Sequence, residues 1–468
     1  MSSRIRIGLL GCGVVGTGLM RLLDARSRSI EEAVGAPVRV TRLAVRDPGR
    51  RRDLNLGGVA VTSDPAAVAE ADDIDVLVEL MGGVDAAHAP VLRALCRGIP
   101  VVTANKLLLS IHGAELEAAA AASGAPLRFE AAVAGAIPVL QALDHGLKTE
   151  RFTLLVGILN GTTNYILSTM EREGRDFEEA LTAARDLGFA EADPTLDLSG
   201  ADTAQKLTIL ARRAFGAAVP HDSIPTEGIL GIELEDLRQA DRFGYIAKLL
   251  GIGIRSPEGL DLRVHPAFIP KRYLLAAVRD EFNGVYLRGE AAGNMLLYGK
   301  GAGAMPTAQA VLGDVIAAAR EIRLRTAGQA RSADAGAAAG AGRNAEGAFA
   351  GTALPSRAVP RTAPGALPPA PAAPPDDDRL PLDDVRTKYY LRLMVEDQPG
   401  VLAQIAHRLG ASRVSVAQVH QAQSVRGQAS ITMLTHEARD KDVRDAVAAI
   451  AALPAVIKGP RAIRIFDL

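Results

Sequence analysis

Apolar positions along the chain fall into short β-rich runs that alternate with stretches of helical period. The runs are Arg4 to Leu10 (RIRIGLL), Val38 to Val45 (VRVTRLAV), Val76 to Leu80 (VLVEL) and Ile99 to Val102 (IPVV), and helix-like segments such as Val15 to Asp24 and Ala87 to Arg97 separate them. That order predicts a Rossmann-type parallel α/β sheet. From about Ala136 to Gly303 the pattern changes to a strand over Thr153 to Ile158, then helices over Gly161 to Arg172, Phe177 to Leu187 and Gly200 to Phe215, then strands near Val264 and Val285. This predicts a separate α+β domain. From Thr326 to Asp378 Ala, Gly, Pro and Arg predominate, as in AGAAAGAGRNAEGAFAGT and PGALPPAPAAPPDDD, with too few large apolar side chains to offset chain entropy. It reads as a linker whose proline-rich half holds the C-terminal segment at a distance. Beyond it the pattern runs strand (Tyr389 to Val395), helix (Val401 to Leu409), strand (Val414 to His420), strand (Gln428 to Thr435), helix (Lys441 to Ala452), strand (Ala462 to Phe466), a βαββαβ order of the ferredoxin-like kind. The expected partition is 1–135, with a helix near 305–325 returning to it, then 136–304, a linker over 326–386, and 387–468.

A length of 468 residues is enough for about three domains with cores of their own. Lys and Arg number 53 against 54 Asp and Glu, so no net field favours nucleic acid or an anionic membrane. The two cysteines, Cys12 and Cys96, cannot build a disulfide scaffold and suit a reducing, cytoplasmic setting. The early apolar run from Ile7 to Met20 is too short to span a bilayer and is broken by five glycines, so it is expected to be a folded element.

Directly after the first strand stands Gly11-Cys12-Gly13-Val14-Val15-Gly16, a GxGxxG that opens into a helix. In a dinucleotide site the first glycine allows the tight turn, Gly13 lets backbone approach the pyrophosphate, and Gly16 allows close helix packing. The alternative in a chain with 46 glycines is a packing turn. At the end of the second strand the usual ribose carboxylate is replaced by Arg46, ahead of Asp47 and the run Arg50 to Arg52. A guanidinium there either grips a 2′-phosphate, which permits NADP beside NAD, or belongs to an exposed loop of charges. Thr103-Ala104-Asn105-Lys106 places a lysine at the carboxyl edge of the sheet, where ligands of doubly wound folds bind.

The densest constellation runs from Leu187 to Leu207, with four carboxylates in the twelve residues from Glu191 to Asp202. Asp202 and Lys206 are spaced i, i+4 on one helix face, and Lys206 abuts apolar positions. A lysine among apolar walls loses some preference for charge and becomes a usable proton donor to a developing alkoxide, while nearby carboxylates meet a substrate ammonium. An acidic loop with a surface ion pair is the competing reading.

These parts resemble homoserine dehydrogenase through GCGVVGTG (Gly11 to Gly18), VVTANK (Val101 to Lys106), EAAVAGAIP (Glu130 to Pro138), GILNGTTNYIL (Gly157 to Leu167), GFAEADPTLDLSGADTAQKLTIL (Gly188 to Leu210) and YGKGAGAMPTAQAVLGD (Tyr298 to Asp314). The resemblance implies NAD(P)-dependent interconversion of L-homoserine and L-aspartate 4-semialdehyde, in threonine, methionine and isoleucine biosynthesis. It makes Lys206 the proton donor, Lys106 a second lysine at cofactor and substrate, and Glu191 and Asp202 homoserine ligands with Asp197 beside them. Gly11, Gly13, Val14, Val15, Gly16, Arg46, Gly188 and Gly303 would line the cofactor. A monovalent cation, usually sodium, would be held by main-chain oxygens of Glu130, Val133, Gly135 and Ile137. Phe189 departs from the tyrosine frequent in the family. The tail with DQPGVLAQIA (Asp397 to Ala406) is similar to an ACT domain, which implies an amino-acid effector, with threonine expected near Asp397 to Gly400, or a module for dimerisation alone. The resemblance also implies that the α+β domain over 136–304 binds substrate, carries catalysis and mediates dimerisation, and the expected assembly is a dimer or tetramer. Phosphorylating aspartate-semialdehyde dehydrogenase, a chemical rival, needs a cysteine nucleophile that neither Cys12 nor Cys96 can supply. An inactive Rossmann and ACT amino-acid sensor is the alternative of another class.

Overall fold

The computed structural model describes residues 4–341, 379–421 and 427–467. They form two compact units, 4–132 with 303–341, and 133–302 with 379–467.

The first unit is built on six parallel strands, β1 (Ile5–Leu10), β2 (Val38–Ala44), β3 (Ala60–Thr62), β4 (Val76–Glu79), β5 (Val101–Thr103) and β6 (Leu127–Arg128), in the order β3-β2-β1-β4-β5-β6. The central strands are apolar runs because helices cover both faces. Strand order reverses between β1 and β4, and in open α/β sheets the ligand crevice lies at the carboxyl ends of such a pair. The first helix (Val14–Ala25) packs on the helix that begins at Ala304. Gly18 permits the approach, since a Cβ there would come 3.0 Å from both the Ala304 carbonyl and the Ala308 side chain. Val311, Leu312 and Val315 of that later helix share a core with Leu19, Leu22 and Val40. It continues to Ala341, past the expected start of the linker at 326, because its alanines are the strongest helix formers. The rest of the expected linker, 342–378, lies outside the described residues.

In the second unit β7 (Phe152–Ile158), β8 (Tyr245–Ser256), β9 (Gly259–Pro270), β10 (Phe282–Gly289) and β11 (Gly293–Lys300) form an antiparallel sheet. The tail contributes β12 (Arg386–Glu396), β13 (Val416–Gln421), β14 (Gln428–Thr435), the short β15 (Ala438–Arg439) and β16 (Val456–Ile465), with helices Val401–Ala411 and Asp440–Ala451. Its βαββαβ order surrounds a core that includes Leu391, Leu393, Ile405, Ile431 and Val443.

The tail is not held away from the preceding antiparallel sheet, contrary to the expectation drawn from the proline-rich segment. β16 pairs in parallel with β9 through Arg464 with Ala267 and Ile465 with Phe268, which joins the two sheets in the order β11-β10-β7-β8-β9-β16-β12-β14-β13. Phe466 enters the core of β7, β8 and β9, and Phe268 meets Tyr390 edge to face at 5.0 Å. Polar groups reinforce the seam. Arg392 bonds Asp236 at 2.6 and 3.1 Å and Glu233 at 3.0 Å, and Arg464 bonds Glu227 at 2.8 Å and buried Asp440 at 2.6 Å. Among the described residues no helix is long and apolar enough to cross a membrane.

Candidate active site

The first unit supplies a glycine-rich turn between β1 and the first helix whose glycines have separable causes. Gly11 lies at φ +92°, and a Cβ there would stand 2.7 Å from the Leu80 carbonyl, while one on Gly16 would stand 2.5 Å from the Gly11 carbonyl. Those two are glycine for reasons inside the fold. A Cβ on Gly13 meets no protein atom within 4 Å, so packing inside the fold does not explain it. Gly13 also caps the first helix, with no side-chain acceptor for its leading amides. Val14 is 72% exposed at this helix start and Val15 is half-buried.

Glu79, at the carboxyl end of β4, was not singled out in the sequence because it sits in an apolar run. It is fully buried, accepting from the Met81 amide at 2.7 Å, the Gly82 amide at 3.3 Å and the Thr103 hydroxyl at 2.6 Å. Burial pushes its carboxyl up, and these donors oppose the shift. One carboxylate thereby fixes two strand-end loops. The Asn105 side chain caps the helix Lys106–Ser123, accepting from Leu108 at 3.1 Å and donating to the Gly83 carbonyl at 2.6 Å. Lys106 is thus not a loop residue but the first residue of that helix, at the end where the macrodipole disfavours a cation. Arg46 is exposed just beyond β2, and Asp47 beside it accepts from the amides of Gly49 and Arg50.

The second unit supplies a buried charged cluster. Lys206 Nζ donates to Asp202 Oδ2 and to the Leu159 carbonyl, both at 2.7 Å, with side-chain exposures of 11% and 5% for Lys206 and Asp202. Asp202 lies in the first turn of the helix Ala201–Phe215, where the dipole favours a carboxylate, and Lys206 follows one turn later. Asn160, which sequence reasoning also passed over, donates to Asp197 at 2.6 Å and to Asp202 at 2.8 Å, and its carbonyl caps the next helix through Thr163. Its only sequence signal is its place directly after β7, inside the GILNGTTNYIL run. Asp197, Asp202 and Lys206 are therefore brought together. Glu191 is exposed on the preceding loop and makes no hydrogen bond among the described residues. Gly188 and Gly303, at φ +75° and +117°, belong to different units.

The segment from Pro225 to Ile232 straps this cluster from behind. Glu227 and Val264 share a backbone bond, Ile229 donates to the Leu198 carbonyl at 2.9 Å, and a Cβ on Gly228 would fall 1.9 Å from that same oxygen.

Family models match residues 11–130 as the NAD binding domain of homoserine dehydrogenase, residues 138–316 as homoserine dehydrogenase and residues 389–455 as an ACT domain. The homoserine dehydrogenase of Pseudomonas aeruginosa is 39% identical over 460 residues, covering 97% of both chains, and that of Synechocystis is 37% identical over 470 residues, covering 99% and 100%. The chain belongs to the homoserine dehydrogenase family. With it the chain belongs to the NAD(P)-dependent oxidoreductases. The solved homoserine dehydrogenase of Thiobacillus denitrificans superposes with a TM-score of 0.84 at 40% identity, covering 100% of this chain and 99% of that one. A homoserine dehydrogenase of S. aureus gives 0.72 at 27% identity, covering both chains fully.

Against the family pattern, Phe189 stacks at a tilt on Tyr165 at 5.0 Å, and its carbonyl accepts from Thr162 at 2.6 Å. The position is anchored by backbone and ring contact, with no hydroxyl needed. Of the residues expected to hold a cation, Glu130 lies in the first unit, on a 3-10 turn whose amide donates to Asp314 at 2.8 Å. Val133, Gly135 and Ile137 lie in the second, around consecutive left-handed residues Ala134 (φ 54°) and Gly135 (φ 56°). Such a turn is costly for alanine, and the Ala134 carbonyl accepts from the Ile137 amide at 3.1 Å. The Ile137 carbonyl also accepts from Val139 at 2.8 Å.

Proposed function

We propose that this chain interconverts L-homoserine and L-aspartate 4-semialdehyde, and the observation that carries the reading is the buried Lys206–Asp202–Asn160 cluster. When bound, NAD(P) supplies the hydride acceptor or donor. In the reducing direction Lys206 Nζ gives its proton to the oxygen of the aldehyde as it becomes an alkoxide, and Asp202 Oδ2, 2.7 Å away, stabilises the ammonium before transfer. In oxidation Lys206, neutral, takes the hydroxyl proton as hydride leaves the same carbon. Asp202 and Asp197, aligned by Asn160, and Glu191 from its exposed loop bind the substrate ammonium through charge-assisted bonds. Lys106 binds cofactor and substrate from its helix terminus, and Gly11, Gly13, Val14, Val15 and Gly16 receive the pyrophosphate.

Arg46 supports acceptance of the 2′-phosphate of NADP, and a hyperthermophilic archaeal homoserine dehydrogenase, 25% identical over 68% of this chain with a TM-score of 0.57, is solved in complex with NADPH. The donor set of Glu130, Val133, Gly135 and Ile137 is all main-chain oxygen, which suits a hard monovalent cation such as sodium. The ACT tail would bind threonine near Asp397 to Gly400, where Gly400 turns at φ +89°, and the protein would act as a cytoplasmic dimer or tetramer. The test is homoserine-dependent reduction of NAD and NADP by the full chain. Turnover with either cofactor is expected, with Arg46→Ala weakening NADP selectively. Failure to reduce both would contradict the reading.

A further inference from the structure

The first unit carries a cluster that the proposed reaction does not use. His88 lies on the helix Asp85–Cys96, and His112 and Glu115 lie one turn apart on the helix Lys106–Ser123. Ala87, Ala94 and Gly113 are buried and keep both helices slim, so that side chains from one helix reach those of the other. His88 Nε2 stands 2.9 Å and His112 Nδ1 3.1 Å from the same carboxylate oxygen, Glu115 Oε2. The two imidazoles stack with centroids 4.0 Å apart, and the three donor atoms all lie within 4.8 Å of one another. Among the described residues no other three His, Cys, Asp or Glu side chains converge in this way.

From this convergence we infer a surface site for a borderline divalent transition ion of the zinc type, held by His88, His112 and Glu115. Two ligands about 2.1 Å from such an ion at angles of about 90–109° stand roughly 3.0–3.4 Å apart; the His112 distance of 3.1 Å falls in that range and the His88 distance of 2.9 Å lies just short of it. Two neutral imidazoles and a carboxylate form a donor set for zinc, nickel, cobalt or copper, and a poor one for magnesium, which prefers all-oxygen octahedra. Side-chain exposures of 26%, 30% and 38% leave an entry path from water and room for water to complete the coordination. The far ring nitrogens of both histidines have no protein acceptor among the described residues, so the support that tightens dedicated zinc sites is missing. The site therefore binds in the micromolar range and exchanges readily.

The test uses the full-length protein without a polyhistidine tag. Zinc is titrated calorimetrically at pH 7.5, with magnesium as the control ion. One zinc per chain is expected at this site, with no magnesium uptake. His112→Asn and Glu115→Gln should each lower that affinity on the order of 10²-fold, while homoserine turnover in the presence of chelator stays unchanged. X-ray absorption on the zinc-loaded wild type gives a readout independent of variant folding, with two imidazoles and a carboxylate oxygen expected in the first shell. Absence of zinc binding at 1 mM, equal affinity in both variants, or a first shell without histidine would each overturn the assignment.

Discussion

At the scale of single residues, function rests on side chains whose environment is more constrained than their sequence neighbourhood indicates. Asn160 holds two carboxylates at once, so Asn160→Ala should raise the KM for homoserine roughly tenfold or more, since bonds to charged groups contribute about 1.5–3 kcal/mol. An unchanged KM in steady-state assays would remove Asn160 from the substrate site. Lys248 gives a prediction about stability. It is fully buried, donates to Asn164 at 2.8 Å and to the Val278 carbonyl, and burial lowers its pKa to about 7 against opposing Glu171. Above about pH 7 the folded protein has released this proton, while the unfolded chain keeps it to about pH 10.4. The unfolded state thus binds more protons in that window, and stability should rise with pH by up to about 1.4 kcal/mol per unit. Denaturant midpoints at pH 7.5 and 9 should show this rise in the wild type and lose it in Lys248→Met. The i, i+4 pair of Asp202 and Lys206 was legible in the sequence because helical spacing is local. Asn160 and Glu79 were not, because their roles depend on partners in other elements.

At the scale of elements, strand-then-glycine-then-helix was readable at Gly11 to Gly16, and the structure adds that Gly11 and Gly16 satisfy the fold while Gly13 does not. The strap from Pro225 to Ile232 had no signature, since its bonds go to Val264 and Leu198, distant in sequence. Its weak point is Gly228. Gly228→Ala would drive a methyl into the Leu198 carbonyl, displacing the turn that carries Asp197 and Gly200. The variant should lose thermal stability and bind homoserine less well, with binding to the first unit's cofactor site retained. Normal homoserine kinetics would show that the strap does not position the cluster.

At the scale of the whole chain, the largest departure from the sequence reading is the seam between β9 and β16. A parallel pairing of strands from Ala267 and Arg464, nearly two hundred residues apart, leaves no periodic trace, whereas the proline-rich composition between them points the other way. The seam gives the ACT domain a physical route to the site, from Arg464 through Glu227 to the strap and the Leu198 turn. Glu227→Gln should therefore raise the KM for homoserine severalfold and weaken any inhibition by threonine, with little change in Tm because Glu227 is partly exposed. Retention of full inhibition would place the route elsewhere. Deleting 374–468 is predicted to cost stability outright, since β9 is buried along its whole length; a truncated chain as heat-resistant as the parent would contradict the docked arrangement. The central claim, that Lys206 carries the proton of a homoserine–semialdehyde redox reaction, is tested most directly by kcat for homoserine oxidation in the full-length Lys206→Ala variant at saturating NADP. General acid–base catalysis contributes about 10²–10⁴-fold, so kcat should fall at least about 10²-fold with cofactor affinity little changed. A kcat near that of the wild type would contradict the account.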